Sequence, residues 1–185
     1  MVLLLGLLGM MKQKMNNYTT IRFTNEIQAT LSHCFDCDNV ALTAFLKSYD
    51  ALDDFFGKTY VMIDNANHRI IGYYNIGTGH IEDNMHIRMG GTMYINCLAV
   101  DKHYQKQKIE SGFYYSDILL GDCIKRIHNL RNEYIGFAFV TLSSTDEGYY
   151  LYDRNGFCKL EDDMKIAKNI GEDTCIPMYL PLDYE

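Results

Sequence analysis

The residues with chemistry in their spacing lie between Asn96 and Gly112, NCLAVDKHYQKQKIESG. An apolar strand ends in Leu98, Ala99 and Val100, and a short polar turn follows. Gln105, Lys106, Gln107, Lys108, Ile109, Glu110 and Ser111 then read as the opening of a helix. A strand that runs directly into a helix leaves several backbone N–H groups without partners, all pointing one way. With the positive end of the helix dipole they form a cradle for a phosphate or pyrophosphate. Lys102, Lys106 and Lys108 add positive charge within reach of it, although a solvated helix start would carry the same lysines. The stretch predicts a phosphate-bearing ligand. A second constellation, Cys34 and Cys37 in HCFDC, has the spacing of half a zinc site. No second CxxC or paired histidines accompany it, so these read as ordinary reduced cysteines and no metal is expected.

The elements that must position these residues follow from periodicity and turn chemistry. Residues 18–23 read as a short strand. Asp38 and Asn39 cap a helix whose Leu42, Phe45, Leu46 and Tyr49 keep helical spacing. Residues 59–64 and 69–77 flank the polar turn 65–68 and predict a hairpin. Residues 77–91 read as a loop, and 92–100 as a strand. Ile109, Phe113, Leu120, Ile124, Ile127 and Leu130 predict one long helix over about 106–130. Residues 134–142 form an apolar strand, 146–155 a short helix ended by Gly156, and 157–160 and 176–180 late strands. Lys125, Arg126, His128 and Arg131 at the end of the long helix complement its dipole. RNA contact is the sharper reading of the same residues.

Two motifs together carry a family resemblance. The strand ending in Leu98-Ala99-Val100 with Gln105 behind it is similar to the acetyl-CoA-binding segment of the GNAT acetyltransferase superfamily. Lys108 and Glu110 stand where that family has small residues, which let the backbone approach the pyrophosphate. Tyr150 to Phe157, YLYDRNGF, resembles the signature after the last core helix of these enzymes. Further matches at Phe35-Asp36-Cys37, residues 41–46, Thr59-Tyr60-Val61 and Ile71-Gly72-Tyr73-Tyr74 resemble the branch of GNAT toxins paired with ribbon-helix-helix antitoxins. The resemblance spans roughly residues 20–182.

It implies an α/β fold with a mixed, mostly antiparallel central sheet flanked by helices. It implies acetyl-CoA as acetyl donor and direct transfer to an amine, in a cleft between the strands at 92–100 and 135–142. Leu98, Ala99 and Val100 would pair through their backbone with the pantetheine arm as an added strand. Residues 105–111 would hold the pyrophosphate. Tyr152 falls on the position of the general acid. A phenol with an ordinary pKa near 10 keeps its proton at neutral pH and can give it to a thiolate; a tyrosine beside Tyr149 and Tyr150 can also be simple packing. The amine must lose a proton, for which His80, Glu82, Asp83, His86 and Asp101 are candidates that sequence does not separate. The acceptor would be a small molecule, a peptide or an aminoacyl-tRNA. A homodimer and a ribbon-helix-helix antitoxin are the protein partners compatible with the resemblance. Loss of cofactor through Lys108 and Glu110, leaving a binding module, is the reading from another class.

Composition sets the outer bounds. The 185 residues are 48% hydrophobic, enough for one domain with a sizeable core. The net charge of −7 disfavours broad nucleic-acid binding without excluding a local basic patch. Six cysteines, several inside apolar runs, show no dense disulfide framework and point to a reducing cytoplasm. The first ten residues, MVLLLGLLGM, are too few to span a bilayer and lack the flanks of a signal peptide. Met11 or Met15 then reads as the true start. Residues 1–16 are expected to lie outside the fold and 17–185 to form a single acetyltransferase domain, with no membrane association.

Overall fold

The computed structural model describes residues 17–166 and 175–182, and the apolar segment 1–16 lies outside them. In chain order the elements are β1 (Tyr18–Arg22), α1 (Asn25–Leu31), α2 (Val40–Lys47), β2 (Lys58–Asp64), β3 (Arg69–Asp83), β4 (Arg88–Val100), α3 (Tyr115–Glu133), β5 (Phe139–Ser144), α4 (Tyr149–Asp153), β6 (Cys158–Lys159), β7 (Met164–Ile166) and β8 (Ile176–Pro181). Among the described residues the sheet runs β1-β2-β3-β4-β5-β8-β6, with β7 added on β3. Its pairings are antiparallel except β4 with β5. No helix among the described residues is long and apolar enough to cross a membrane.

Each face of the sheet is covered by helices that the sequence starts and aims. On one face α3 buries Ile118, Leu119, Leu120, Cys123, Ile124 and Ile127 against Tyr74, Ile76 and Ile95. Fully burying a Leu or Ile stabilises by about 1.5–3 kcal/mol, so this stripe fixes the helix on the sheet. The approach is close enough to require glycine at 72. A Cβ there would stand 2.7 Å from the Ala99 carbonyl oxygen and 2.9 Å from Leu119 Cδ2. On the other face Asn39 caps α2, its side chain accepting from the Leu42 N–H at 3.0 Å. That places Leu46 over Tyr73, whose hydroxyl donates to the Leu42 carbonyl at 2.7 Å.

Three expectations are corrected. Residues 77–91 are not a loop: β3 and β4 pair across most of them, Gly77 opposite Tyr94, Gly79 opposite Thr92 and Ile81 opposite Gly90. The Asp83 carboxylate closes the turn by accepting from the Met85 and Ile87 N–H groups, both at 2.8 Å. The glycines sit against larger cross-strand neighbours, a pairing that periodicity along one strand does not reveal. The long helix begins at Tyr115 rather than near 106, because Lys106 (φ 57°) and Gly112 (φ 87°) take left-handed conformations that break a helix. Ile109 and Phe113 therefore meet across a reverse turn, the Ile109 N–H donating to the Phe113 carbonyl at 2.9 Å. The strand expected at 134–142 starts only at Phe139 and runs to Ser144. The short helix α1, capped by Thr24, and the strand β7 are additional to the expected elements.

Candidate active site

β4 and β5 share a ladder only from Thr92↔Phe139 to Ile95↔Leu142. Beyond that, β4 stays with β3 while Ser143 and Ser144 of β5 stay with β8. The parting begins at a bulge. Cys97 pairs with Asn75 but Ile95 with Ile76, so Asn96 is an extra residue on β4. A bulge bends its strand and increases the local twist. The Asn96 side chain pins it, donating to the Phe56 carbonyl at 2.9 Å and to Asn75 Oδ1 at 2.6 Å.

The ladder register shows which backbone groups face the opening. The Asp101 N–H donates to the Ile71 carbonyl, so Ala99 and Cys97 point their N–H and C=O groups at β3. Leu98 and Val100 point theirs away from β3, at the edge β5 has left. The Val100 carbonyl accepts from the Gln105 side chain at 3.0 Å. Of the predicted tripeptide, Leu98 and the Val100 N–H thus have the geometry to pair with an extended ligand, and Ala99 supports them from the β3 side.

Tyr152 lies beside this opening. Glycine at 156 (φ 89°) ends the turn after α4 and returns Phe157 beneath the helix, its ring edge-on to Tyr152 with centroids 5.6 Å apart. Tyr152 is 7% exposed, whereas Tyr150 is 72% exposed, which separates the candidate from its neighbour. Burial pushes the Tyr152 phenol above its ordinary 10, with smaller contributions from Cys123 of α3 and from Cys97 and Tyr94 of β4. A raised pKa keeps the phenol protonated, as a proton donor must be. Cys97 is the β4 thiol that acts on this phenol, and burial pushes it up to about 12. A neutral thiol is a poor nucleophile. We therefore expect Cys97→Ala to keep turnover within about threefold of the parent, and intact-mass spectra to show no acetyl adduct on the chain during turnover. An adduct that disappears in Cys97→Ala would show that this thiol carries the acetyl group.

The segment expected to cradle pyrophosphate is a compact turn rather than a helix start. Asp101 anchors it, 1% exposed, accepting from the N–H groups of Asp36 and His103 at 3.0 Å and lying 2.8 Å from His103 Nδ1. Lys102 pairs with Asp36 at 2.7 Å. The Gln105 side chain also donates to the Cys37 carbonyl, and the Gln105 and Gln107 N–H groups bond within the turn. Lys108 Nζ lies 4.8 Å from the Tyr114 ring centroid. Lys106, Gln107, Lys108, Glu110 and Ser111 are exposed and Ile109 is half-buried. The first turn of α3 is already partnered: the Tyr115 N–H donates to the Gln107 carbonyl and the Tyr114 N–H to Asp117 Oδ2, each at 3.3 Å.

Of the proton-acceptor candidates, Asp101 is committed to this anchor and Asp83 to its hairpin turn. Glu82 lies between two histidines at the same hairpin, 2.8 Å from His86 Nδ1 and 3.7 Å from His80 Nε2. Arg126 at the far part of α3 donates to the Tyr74 hydroxyl and lies 4.0 Å over the Tyr60 ring. Among the described residues no group of three or more His, Cys, Asp or Glu could hold a metal ion. Sequence reasoning passed over Asp117, Arg154 and Asn155. The first lies three residues after Tyr114 at capping-box spacing, and the others stand inside the YLYDRNGF motif.

The fold is GNAT-type: among the described residues, a mostly antiparallel sheet flanked by helices, with one parallel pair that parts beyond its ladder. The particular structures it is similar to include bacterial toxins. A crystal structure of a bacterial toxin is 18% identical, over 89% of this chain and 90% of that one, with a TM-score of 0.70. A tyrosine-to-phenylalanine mutant of the AtaT toxin, bound to the C-terminus of the antitoxin AtaR and acetyl-CoA, is 17% identical over 89% and 92%, with a TM-score of 0.66. AtaT complexed with acetyl-methionyl-tRNA is 16% identical over 89% and 94%, with a TM-score of 0.65. No protein-family model and no curated protein sequence matches the chain.

Proposed function

We propose that residues 17–185 are a single acetyl-CoA-dependent N-acetyltransferase domain acting by direct transfer to an amine. The observation that carries this reading is the strand edge of Leu98 and Val100, left open where β5 departs, with the buried phenol of Tyr152 beside it. An unpaired edge fits an extended chain bearing amides, which is what a pantetheine arm offers. Bound there, acetyl-CoA supplies an activated thioester. Leu98 and Val100 hold the arm in register, with Ala99 behind them. Lys106, Lys108 and Ser111 are the exposed groups available to the phosphates, on a turn that Gln105, Gln107 and Ile109 hold in shape. The amine nitrogen forms the new bond to the acetyl carbon and releases its proton to water, while Tyr152 gives its proton to the sulfur as the carbon–sulfur bond breaks and recovers one from solvent. The neutral Cys97 thiol supports transfer without a covalent enzyme intermediate.

For the acceptor, an aminoacyl-tRNA is the reading that the likeness to AtaT in complex with acetyl-methionyl-tRNA favours. A ribbon-helix-helix antitoxin is then the expected protein partner, in line with the AtaT–AtaR complex. Release of CoA thiol tests both levels. With acetyl-CoA and methionyl-tRNA we expect release that uncharged tRNA does not support. Release with peptide or small amines alone would move the acceptor away from tRNA. No amine-dependent release from any of the three acceptor classes would overturn the enzyme reading.

A further inference from the structure

We propose that Asp117 is a positioning residue for Tyr152: held in the first turn of α3, its carboxylate fastens the end of α4 through Arg154 and Asn155 and so keeps the phenol against β4. The kinetic consequences rest on the acetyltransferase reading; the tether itself rests on geometry alone. Asp117 Oδ1 accepts from Arg154 Nε at 3.0 Å and Nη2 at 2.7 Å, and from Asn155 Nδ2 at 3.4 Å. Its other oxygen accepts from the Tyr114 N–H. Arg154 also lies over the Tyr114 ring, 5.6 Å from its centroid. Asn155 closes the loop back to the catalytic helix by donating to the Leu151 carbonyl at 2.7 Å.

A five-residue helix has no stability of its own. α4 is held by the packing of Leu151 and Tyr152 on the core, by the Tyr152–Phe157 contact and, at its end, by this carboxylate. The carboxylate side chain is 11% exposed. An apolar pair could join two helices there at no loss of stability. A fork of two N–H groups on one oxygen adds direction, which packing alone lacks. Asp117 also comes from the helix whose Cys123 lies near the phenol, so one rigid element supplies both the tether and the neighbouring wall.

The test has two arms. In hydrogen exchange on the full chain without ligand, Asp117→Ala should speed exchange of amides 151–157 at least about tenfold and leave β2 and β3 unchanged. Unchanged exchange in 151–157, or uniform acceleration throughout, overturns the tether. Asp117→Asn keeps an acceptor oxygen and should recover part of the protection; no recovery overturns it too. If Asp117→Ala does not fold, Arg154→Leu carries the same comparison. In steady-state kinetics, Asp117→Ala should lower kcat about tenfold with little change in KM for acetyl-CoA. In a Tyr152→Phe background the same change should cost less than about twofold, since a residue acting through the hydroxyl has nothing left to position. Equal losses in both backgrounds overturn the proposal. A parent with no turnover sinks the enzyme reading, and the exchange arm still decides the tether.

Discussion

Tyr152→Phe lowers kcat about 100-fold and leaves acetyl-CoA affinity within about twofold, the signature of a group acting as a proton donor when the thiolate departs. The change removes one hydroxyl and keeps the ring on Phe157. Tyr150 is mostly exposed and Tyr149 pairs with Asp153, so Tyr150→Phe and Tyr149→Phe should each cost less than about threefold. The pH profile gives an independent check. Burial raises the Tyr152 phenol above 10.0, and an acid with a raised pKa keeps its proton to higher pH. Turnover should therefore show no fall attributable to Tyr152 below about pH 10. Near-full turnover of Tyr152→Phe, measured where chemistry is rate-limiting, would remove the phenol from the mechanism. Equal losses at all three tyrosines would mark the group as core.

Asp101→Ala destabilises the fold by about 3 kcal/mol, because it removes the buried carboxylate that accepts from the part-buried N–H groups of Asp36 and His103. For a chain of this size that is a fall in Tm of about 10 °C. The residue joins the end of β4 to the segment before α2, and the Tyr104 and Gln105 N–H groups bond its carbonyl. Calorimetry should show the loss, while the shape of the pH–rate profile measured on the folded protein stays that of the parent. Loss of the acidic limb of that profile without loss of stability would make Asp101 a proton acceptor after all.

What could be read in the sequence was local. Asn39 announces α2 because a cap needs only its own turn. The 65–68 turn announces its hairpin, and Gly156 behind a tyrosine-rich stretch announces α4 and its end. The Leu98-Ala99-Val100 run and YLYDRNGF point to the end of β4 and to α4, where the structure has a parting strand pair and a buried tyrosine. The start of α3 was misread because Ile109 and Phe113 keep helical spacing by coincidence. They are partners in a reverse turn, and left-handed residues at 106 and 112 are invisible to hydrophobic periodicity. The 77–91 hairpin was misread because its stability comes from the strand opposite and from Asp83 closing the turn. Asp117 was missed because its partners stand 37 and 38 residues away. The bulge at Asn96, which parts the strands, depends on a register that no single strand encodes.

The central claim is that acetyl-CoA occupies the opening between β4 and β5. Isothermal titration of the full chain with acetyl-CoA tests it most directly, because it needs no acceptor. The account predicts one site per chain with Kd between about 1 µM and 1 mM, in the range of working enzymes. Backbone amide protection on binding should be concentrated at Leu98 and Val100. Absence of heat, together with an unshifted Tm at millimolar acetyl-CoA, would contradict it and leave a GNAT-type fold that serves as a binding module.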